Sequence, residues 1–218
     1  MRKPERHAEL DRRTRKRLVT RQKISDVATR LFMERGFDGV TIDEIANAAD
    51  VGRMTVFNHF PRKEDMFFDR EDEIRELAFD AVRSRSPGTS PVQALLMLAH
   101  TMVEQPSEIF PPFEETRAFV ETAQASETLK ARARQMRDDF TRDLAALFAG
   151  EVGDEGDGSI AYLAAALVTA TWSTAFLQAH AALRRTSDSQ AVKAIFLAMI
   201  DRGAVATLAA LRGTALAR

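Results

Sequence analysis

The stretch that decides the fold is Thr-Ile-Asp-Glu-Ile-Ala-Asn-Ala-Ala-Asp-Val-Gly-Arg-Met-Thr-Val-Phe-Asn-His-Phe, residues 41–60 of a 218-residue chain. Thr41 followed three residues later by Glu44 is a capping box, in which each side chain satisfies a backbone N–H at a helix start. Ile42, Ile45, Ala46 and Ala49 then fall on one side of a short helix. Asp50-Val51-Gly52 breaks it. Asp is among the few non-glycine residues that tolerate a left-handed backbone, and Gly52 offers a permissive start, without the side-chain oxygen of the better caps. A second short helix is predicted from Arg53 to about Phe60, ended by Pro61. Two short helices joined by a tight break are the geometry in which the second enters a DNA major groove while the first braces it.

Outward from this stretch, Ile24, Val27, Ala28, Leu31 and Phe32 predict a helix over residues 20–35, with Gly36 as its C-cap. Together with Leu31-Phe-Met-Glu-Arg-Gly-Phe37 before it and Pro61-Arg-Lys-Glu-Asp65 after it, the stretch resembles the N-terminal domain of the TetR (tetracycline repressor) and AcrR-like family of transcriptional regulators, over roughly residues 20–68. The resemblance implies an all-α chain, in which a three-helix helix-turn-helix domain precedes a larger helical ligand-binding and dimerisation domain. It also implies a ligand-responsive repressor that binds a palindromic double-stranded DNA operator as a homodimer and is released by a small molecule. The expected division is a basic arm over 1–19, the DNA-binding domain over 20–65 and the helical body over 66–218. Asp50, Gly52, Met54 and the Phe57-Asn58 pair depart from the family's usual Gly, Ser or Thr, small residue and aromatic pair. The fold assignment survives these changes; a transfer of base specificity does not.

Residue chemistry assigns expected roles in the reading head. Arg53 can fork onto guanine O6 and N7, and Met54 and Thr55 can meet a thymine methyl, the Thr55 hydroxyl alternatively taking a phosphate. Asn58 suits a phosphate or an adenine edge, and Phe57 packing or a thymine methyl. His59 and Lys63 match positions at which the family contacts phosphate, and Thr41, at a helix N-terminus, is placed for the same role. The basic segment Arg12, Arg13, Arg15, Lys16, Arg17, Arg21 and Lys23 suits phosphates or a minor groove, Arg21 and Lys23 being the stronger candidates, whereas the portion before Arg17 also fits a solvated tail.

Charge agrees with that division. Taken whole, the net charge of −1 argues against a nucleic-acid partner, but it hides a dipole. Residues 1–35 hold 12 basic and 5 acidic side chains, residues 36–65 hold 3 and 6, and residues 66–218 hold 16 and 21. The first 65 residues are therefore positive and the remainder negative. The chain has no Cys, which excludes disulfides, thiolate metal sites and a cysteine nucleophile.

The remaining chain is predicted as helices over about 63–85, 90–104, 113–122, 127–148, 159–185 and 191–211. Ser90-Pro91-x-Gln93 and Ser187-x-x-Gln190 are the expected caps, and residues 150–158 an acidic loop. Residues 160–183 carry no formal charge, and nine of them are alanine. That stretch reads as a core or interface helix in preference to a membrane span. No apolar run follows the N-terminal charges, which predicts a cytoplasmic protein. The last two helices are expected to pair with those of a second subunit.

Candidates for a small-molecule pocket in the body are Trp172, Phe176, His180, His100, Phe113, Met136 and Phe140, with Trp172 and His180 foremost because each adds a hydrogen-bonding tip to an apolar surface. His100 and Glu104 share a helix face at metal-compatible spacing, but no further ligand completes a set, so no metal is expected. No phosphate loop or nucleophile motif proposes a reaction, and no cofactor is called for. The alternative reading is a helical small-molecule binding protein without sequence-specific DNA binding.

Overall fold

In the computed structural model residues 4–152, 158–186 and 188–217 are described, and every regular element among them is helical. The chain divides into two compact units, one running to Asp69 with residues 121–130 added, the other of residues 70–120 and 131 onward.

The first unit begins with α1 (Pro4–Arg35), α2 (Ile42–Ala48), α3 (Arg53–His59) and α4 (Glu64–Phe67). The helix expected over 20–35 thus starts at Pro4 and takes in most of the predicted arm. The added segment is rich in good helix formers but lacks an apolar period, so periodicity does not mark it. Gly36 ends α1 at φ 76°, its N–H bonded to the Phe32 carbonyl at 2.9 Å. The Thr41–Glu44 capping box forms. Asp50 turns the chain at φ 51°, left-handed as its residue type allows. The fully buried Ile24, Ala28, Phe32, Ile45, Val56, Phe60 and Met66 make the core. Phe32 and Phe37 pack with ring centroids 5.0 Å apart.

The helix predicted over 63–85 is two: α4 ends at Phe67 and α5 (Glu71–Arg83) begins four residues on. The break needs neither Gly nor Pro, because Phe68 and Arg70 turn at φ −102° and −96°, open to any residue. Asp69, inside the turn, accepts a hydrogen bond from the Ser25 hydroxyl. Glu71, Asp72 and Glu73 open α5, where carboxylates complement the helix dipole.

The second unit holds α5, α6 (Pro91–Glu104), most of α8 (Glu127–Val152), α9 (Gly158–Thr186) and α10 (Ser189–Ala210), with a 3-10 turn at Ala215–Ala217. The Ser90–Gln93 capping box and Pro91 open α6 as expected. α7 (Arg117–Ala125) lies further along the chain than the helix predicted over 113–122. α8 continues past Gly150 to Val152 and α9 starts at Gly158, so of the predicted acidic loop residues 153–157 lie outside the described residues. Ser187, the expected cap of the last helix, also lies outside them; Asp188 serves instead, its carboxylate accepting from the N–H groups of Gln190 and Ala191.

α9 and α10 pack along each other, and at Gly203 the Thr171 side chain leaves no room for a Cβ. A Cβ at Gly203 would sit 2.8 Å from Thr171 Cβ, and nearer still to its methyl and hydroxyl. Gly203→Ala gains about 1 kcal/mol of helix propensity but forces overpacking that costs about 1–3 kcal/mol. The variant is expected to melt at lower temperature, with Thr171→Ala in the same chain restoring the midpoint. A rise in the Gly203→Ala midpoint would show that α9 yields freely there.

α9 has the length and mean hydropathy (1.6) of a membrane span, yet it is two-faced. Ala164, Ala165, Val168, Ala175, Ala179 and His180 are buried, while Leu163, Ala170 and Leu177, seven residues apart, stay exposed. α10 likewise exposes Ala194, Ala198, Val205 and Ala209.

Candidate nucleic-acid interface

The reading head is built from α2 outward. Val56 and Phe60, four residues apart, are wholly buried and fix one side of α3 into the core. The other side must then face out, and it carries Arg53, Met54 and Asn58, with Thr55, Phe57 and His59 half-buried at its margins. Met54 is 70% exposed, an uncommon position for a large apolar side chain with no partner. Gly52 starts α3 from an extended backbone (φ −71°, ψ 148°) with no side-chain cap, so the first N–H groups of α3 are not covered by a capping side chain. The Arg53 guanidinium lies 5.6 Å from the Phe57 ring and donates through Nη1 to both carboxylate oxygens of Asp43, at 3.0 and 2.8 Å.

Several predicted phosphate contacts have work inside the fold. The Thr41 hydroxyl donates to Glu44 Oε2 at 2.8 Å and accepts from the Glu44 N–H, so its single hydrogen is committed to the cap. Glu44 in turn takes Arg35 Nη2 at 2.7 Å; the Thr41 backbone N–H and Arg35 together hold its carboxyl down at about 2. Arg21 does not project freely: Nη1 donates to the His59 carbonyl at 2.6 Å, and its guanidinium lies 4.0 Å from the Phe60 ring, bracing α1 to the end of α3. Lys63 is half-buried, bonded to the Phe37 carbonyl and 4.2 Å above the Phe37 ring. Burial favours its neutral form, against the opposing pull of Asp38. His59 has a buried Nδ1 without a hydrogen-bond partner. Burial, then Arg17 and Arg21, push its pKa below the ordinary 6.5, which favours the neutral ring. Lys23 is exposed, as are Arg12, Arg13, Arg15, Lys16 and Arg17 along α1. Removing the residues before Arg17 is expected to flatten the dependence of log binding on log salt, by about 0.9 for each phosphate no longer neutralised, without changing the preferred sequence; an unchanged slope would assign those charges to solvent.

The predicted pocket residues do not meet at one place. Phe113, Phe176 and Trp172 join one aromatic cluster with Phe110 and Phe196, and the His180 ring packs on Phe113 and Phe176 at 5.4 and 4.3 Å. Phe140 instead stacks on Phe79 in a different cluster, at 5.9 Å. His100 pairs with Asp201 at 2.8 Å on the surface between α6 and α10, and Met136 is a half-buried residue of α8 in neither cluster. His100 and Glu104 form no metal group with a third ligand among the described residues. Trp172 also borders a narrow cleft with Val168, Thr171 and Gly203 whose cavity volume, about 10 Å³, is far below the roughly 300–1,000 Å³ of an ordinary ligand pocket. Phe196 was not legible as a cluster residue, because it stands among the small side chains of α10 with no local signal.

His180 is 2% exposed. The Phe176 carbonyl, 2.9 Å away, can only accept, so Nδ1 carries a proton; Nε2 lies 2.9 Å from the Thr116 hydroxyl, whose one hydrogen it shares with the Phe113 carbonyl 3.1 Å away. Burial lowers its pKa below the ordinary 6.5. A histidine kept neutral in the fold adds stability above that ordinary value, and loses it as pH falls from there toward the lowered one. Thermal midpoints measured between about pH 7.5 and 5.5 are expected to fall for the native chain and to fall less for His180→Gln. Parallel pH curves would show that His180 does not set this dependence.

The short braced helix and the exposed helix in front of it define a helix-turn-helix domain. Comparison with known proteins agrees with this geometry. The sequence profile of the bacterial regulatory proteins of the tetR family matches residues 24–69. The transcriptional regulator TcmR of Streptomyces glaucescens is 34% identical over 83 residues, 38% of this chain and 37% of TcmR. The matched region thus spans little more than a third of that relative's length. NalD of Pseudomonas aeruginosa, the secondary repressor of the MexAB-OprM multidrug efflux pump, superposes with a TM-score of 0.54 at 22% identity, covering 84% of this chain and 96% of NalD. SmeT in complex with triclosan superposes at 0.55 and 19% identity, covering 86% and 91%. Residues 24–69 thus match the tetR-family profile, and the described residues share the all-helical fold of NalD and SmeT.

Proposed function

We propose that the protein is a cytoplasmic, ligand-responsive transcriptional repressor that binds a palindromic operator as a homodimer through α9 and α10 and is released by a small molecule. The observation that carries the reading is the outer edge of α3, where Arg53, Met54 and Asn58 stand exposed on a helix whose opposite side is anchored by Val56 and Phe60. The exposed stripes of α9 and α10 support the dimer: Leu177 is 47% and Val205 68% exposed, on helices otherwise too apolar for solvent. Burying those stripes against a second copy sets two reading heads on one DNA face, the geometry of a palindrome. A protein partner accounts for them without a membrane. The aromatic cluster around His180 is the proposed effector region, and a ligand enters it by opening packed side chains, since the cleft beside it is small.

Electrophoretic mobility shift with DNA upstream of the protein's own gene, in excess random duplex, tests this. A discrete complex of two protomers is expected; retention no stronger than that of the random duplex would leave a helical ligand-binding protein without sequence-specific DNA binding.

A further inference from the structure

Arg53 occupies an unusual place for a cation. It is the first residue of α3, where the helix dipole presents its positive end and favours anions. Its charge there gives α3 no stability, and the neighbouring charge that offsets it comes from the preceding helix. Asp43, in the first turn of α2, receives Arg53 Nη1 on both carboxylate oxygens. Asp43 is not spent on its own helix cap, which Thr41 and Glu44 complete between them. The next residue, Glu44, holds a different arginine, Arg35. Both Asp43 and Arg53 remain about 60% exposed, so the pair stands in solvent on the face that would meet DNA. Because Asp43 takes only Nη1, the Nε and Nη2 hydrogens form a free donor edge, and two such donors are what guanine O6 and N7 require.

We propose that Asp43 is a positioning residue for Arg53, which presents the guanidinium for a guanine and withholds it from phosphate. This rests on the DNA-reading role of α3. Free arginine carries large rotamer entropy and binds any phosphate within reach. Asp43 restricts that freedom before DNA arrives, and the Phe57 ring below the guanidinium limits it further. On a sequence without guanine at that place, the Asp43 carboxylate repels the backbone and Arg53 stays paired, so wrong sites are penalised.

The test compares the native chain with Asp43→Asn, Asp43→Ala and Asp43→Glu on two probes. One is a duplex library with a randomised core, from which bound molecules are sequenced; the other is a fixed random-sequence duplex titrated by fluorescence anisotropy. Asp43→Asn and Asp43→Ala are expected to bind the random duplex about three- to tenfold more tightly and to lose about tenfold in preference for guanine at one position of each half-site. Asp43→Glu is expected to restore part of that preference, and neither probe is expected to respond to Asp43→Asn in an Arg53→Ala chain. Two variants of native guanine preference and native random-duplex affinity would overturn the proposal. If the native chain enriches no sequence, the regulator reading fails, while the random-duplex comparison and its dependence on Arg53 still decide the pairing.

Discussion

Arg53→Ala is expected to cost about 1–3 kcal/mol of discrimination in each half-site, the range for a bidentate arginine on guanine. A two-fold dimer suffers that loss twice, so operator affinity should fall about thirtyfold or more while affinity for random duplex changes little. Placement is the reason: Arg53 is exposed, sits at the leading end of α3 and has its Nε and Nη2 edge free beside the Asp43 pair. Lys23→Ala is the contrasting control. An exposed lysine on α1 that touches phosphate should weaken all sequences alike and reduce the salt slope by about one for each subunit of the dimer. Titrations on the operator and on random duplex, each at several salt concentrations, separate the two. Equal losses on both duplexes for Arg53→Ala would make it a phosphate contact.

Leu177→Asp is expected to have the other large effect. Leu177 lies on the exposed row with Leu163 and Ala170, away from the face that α9 turns to α10. A carboxylate there meets its own copy across a two-fold interface and must be desolvated beside a like charge, whereas in the isolated protomer it stays hydrated. Light scattering should therefore report a monomer with native helical content. The second half-site would then no longer be tethered, and operator affinity should drop by about 10²–10⁴. A dimer of unchanged affinity would move the interface off the α9 stripe.

What the sequence disclosed followed the range of its signals. The Thr41–Glu44 box, the left-handed Asp50 and the Gly36 cap are decided by residues a few positions apart, and each forms as expected. The extension of α1 back to Pro4 was hidden because a helix without an apolar face has no period to read. The turn at residues 68–70 was hidden because it uses ordinary backbone angles and a bond from Asp69 to Ser25, far away in the chain. The reading head was legible as a set of residues but not as a set of partners. Nothing near Lys63 in the sequence announces the Phe37 carbonyl, and nothing near Arg53 announces a carboxylate ten residues earlier. The proposed effector region was least legible, since its members come from α6, α9, α10 and the segment before α7 and meet only through packing.

The central claim is that this head reads sequence and that two heads read it together. Nuclease footprinting over the upstream DNA at about 0.15 M salt tests it most directly. The predicted result is one protected stretch centred on a dyad, with two half-sites about 34 Å, or a whole number of helical turns, apart. Protection spread evenly along the fragment, or none at concentrations that retard random duplex, would contradict it.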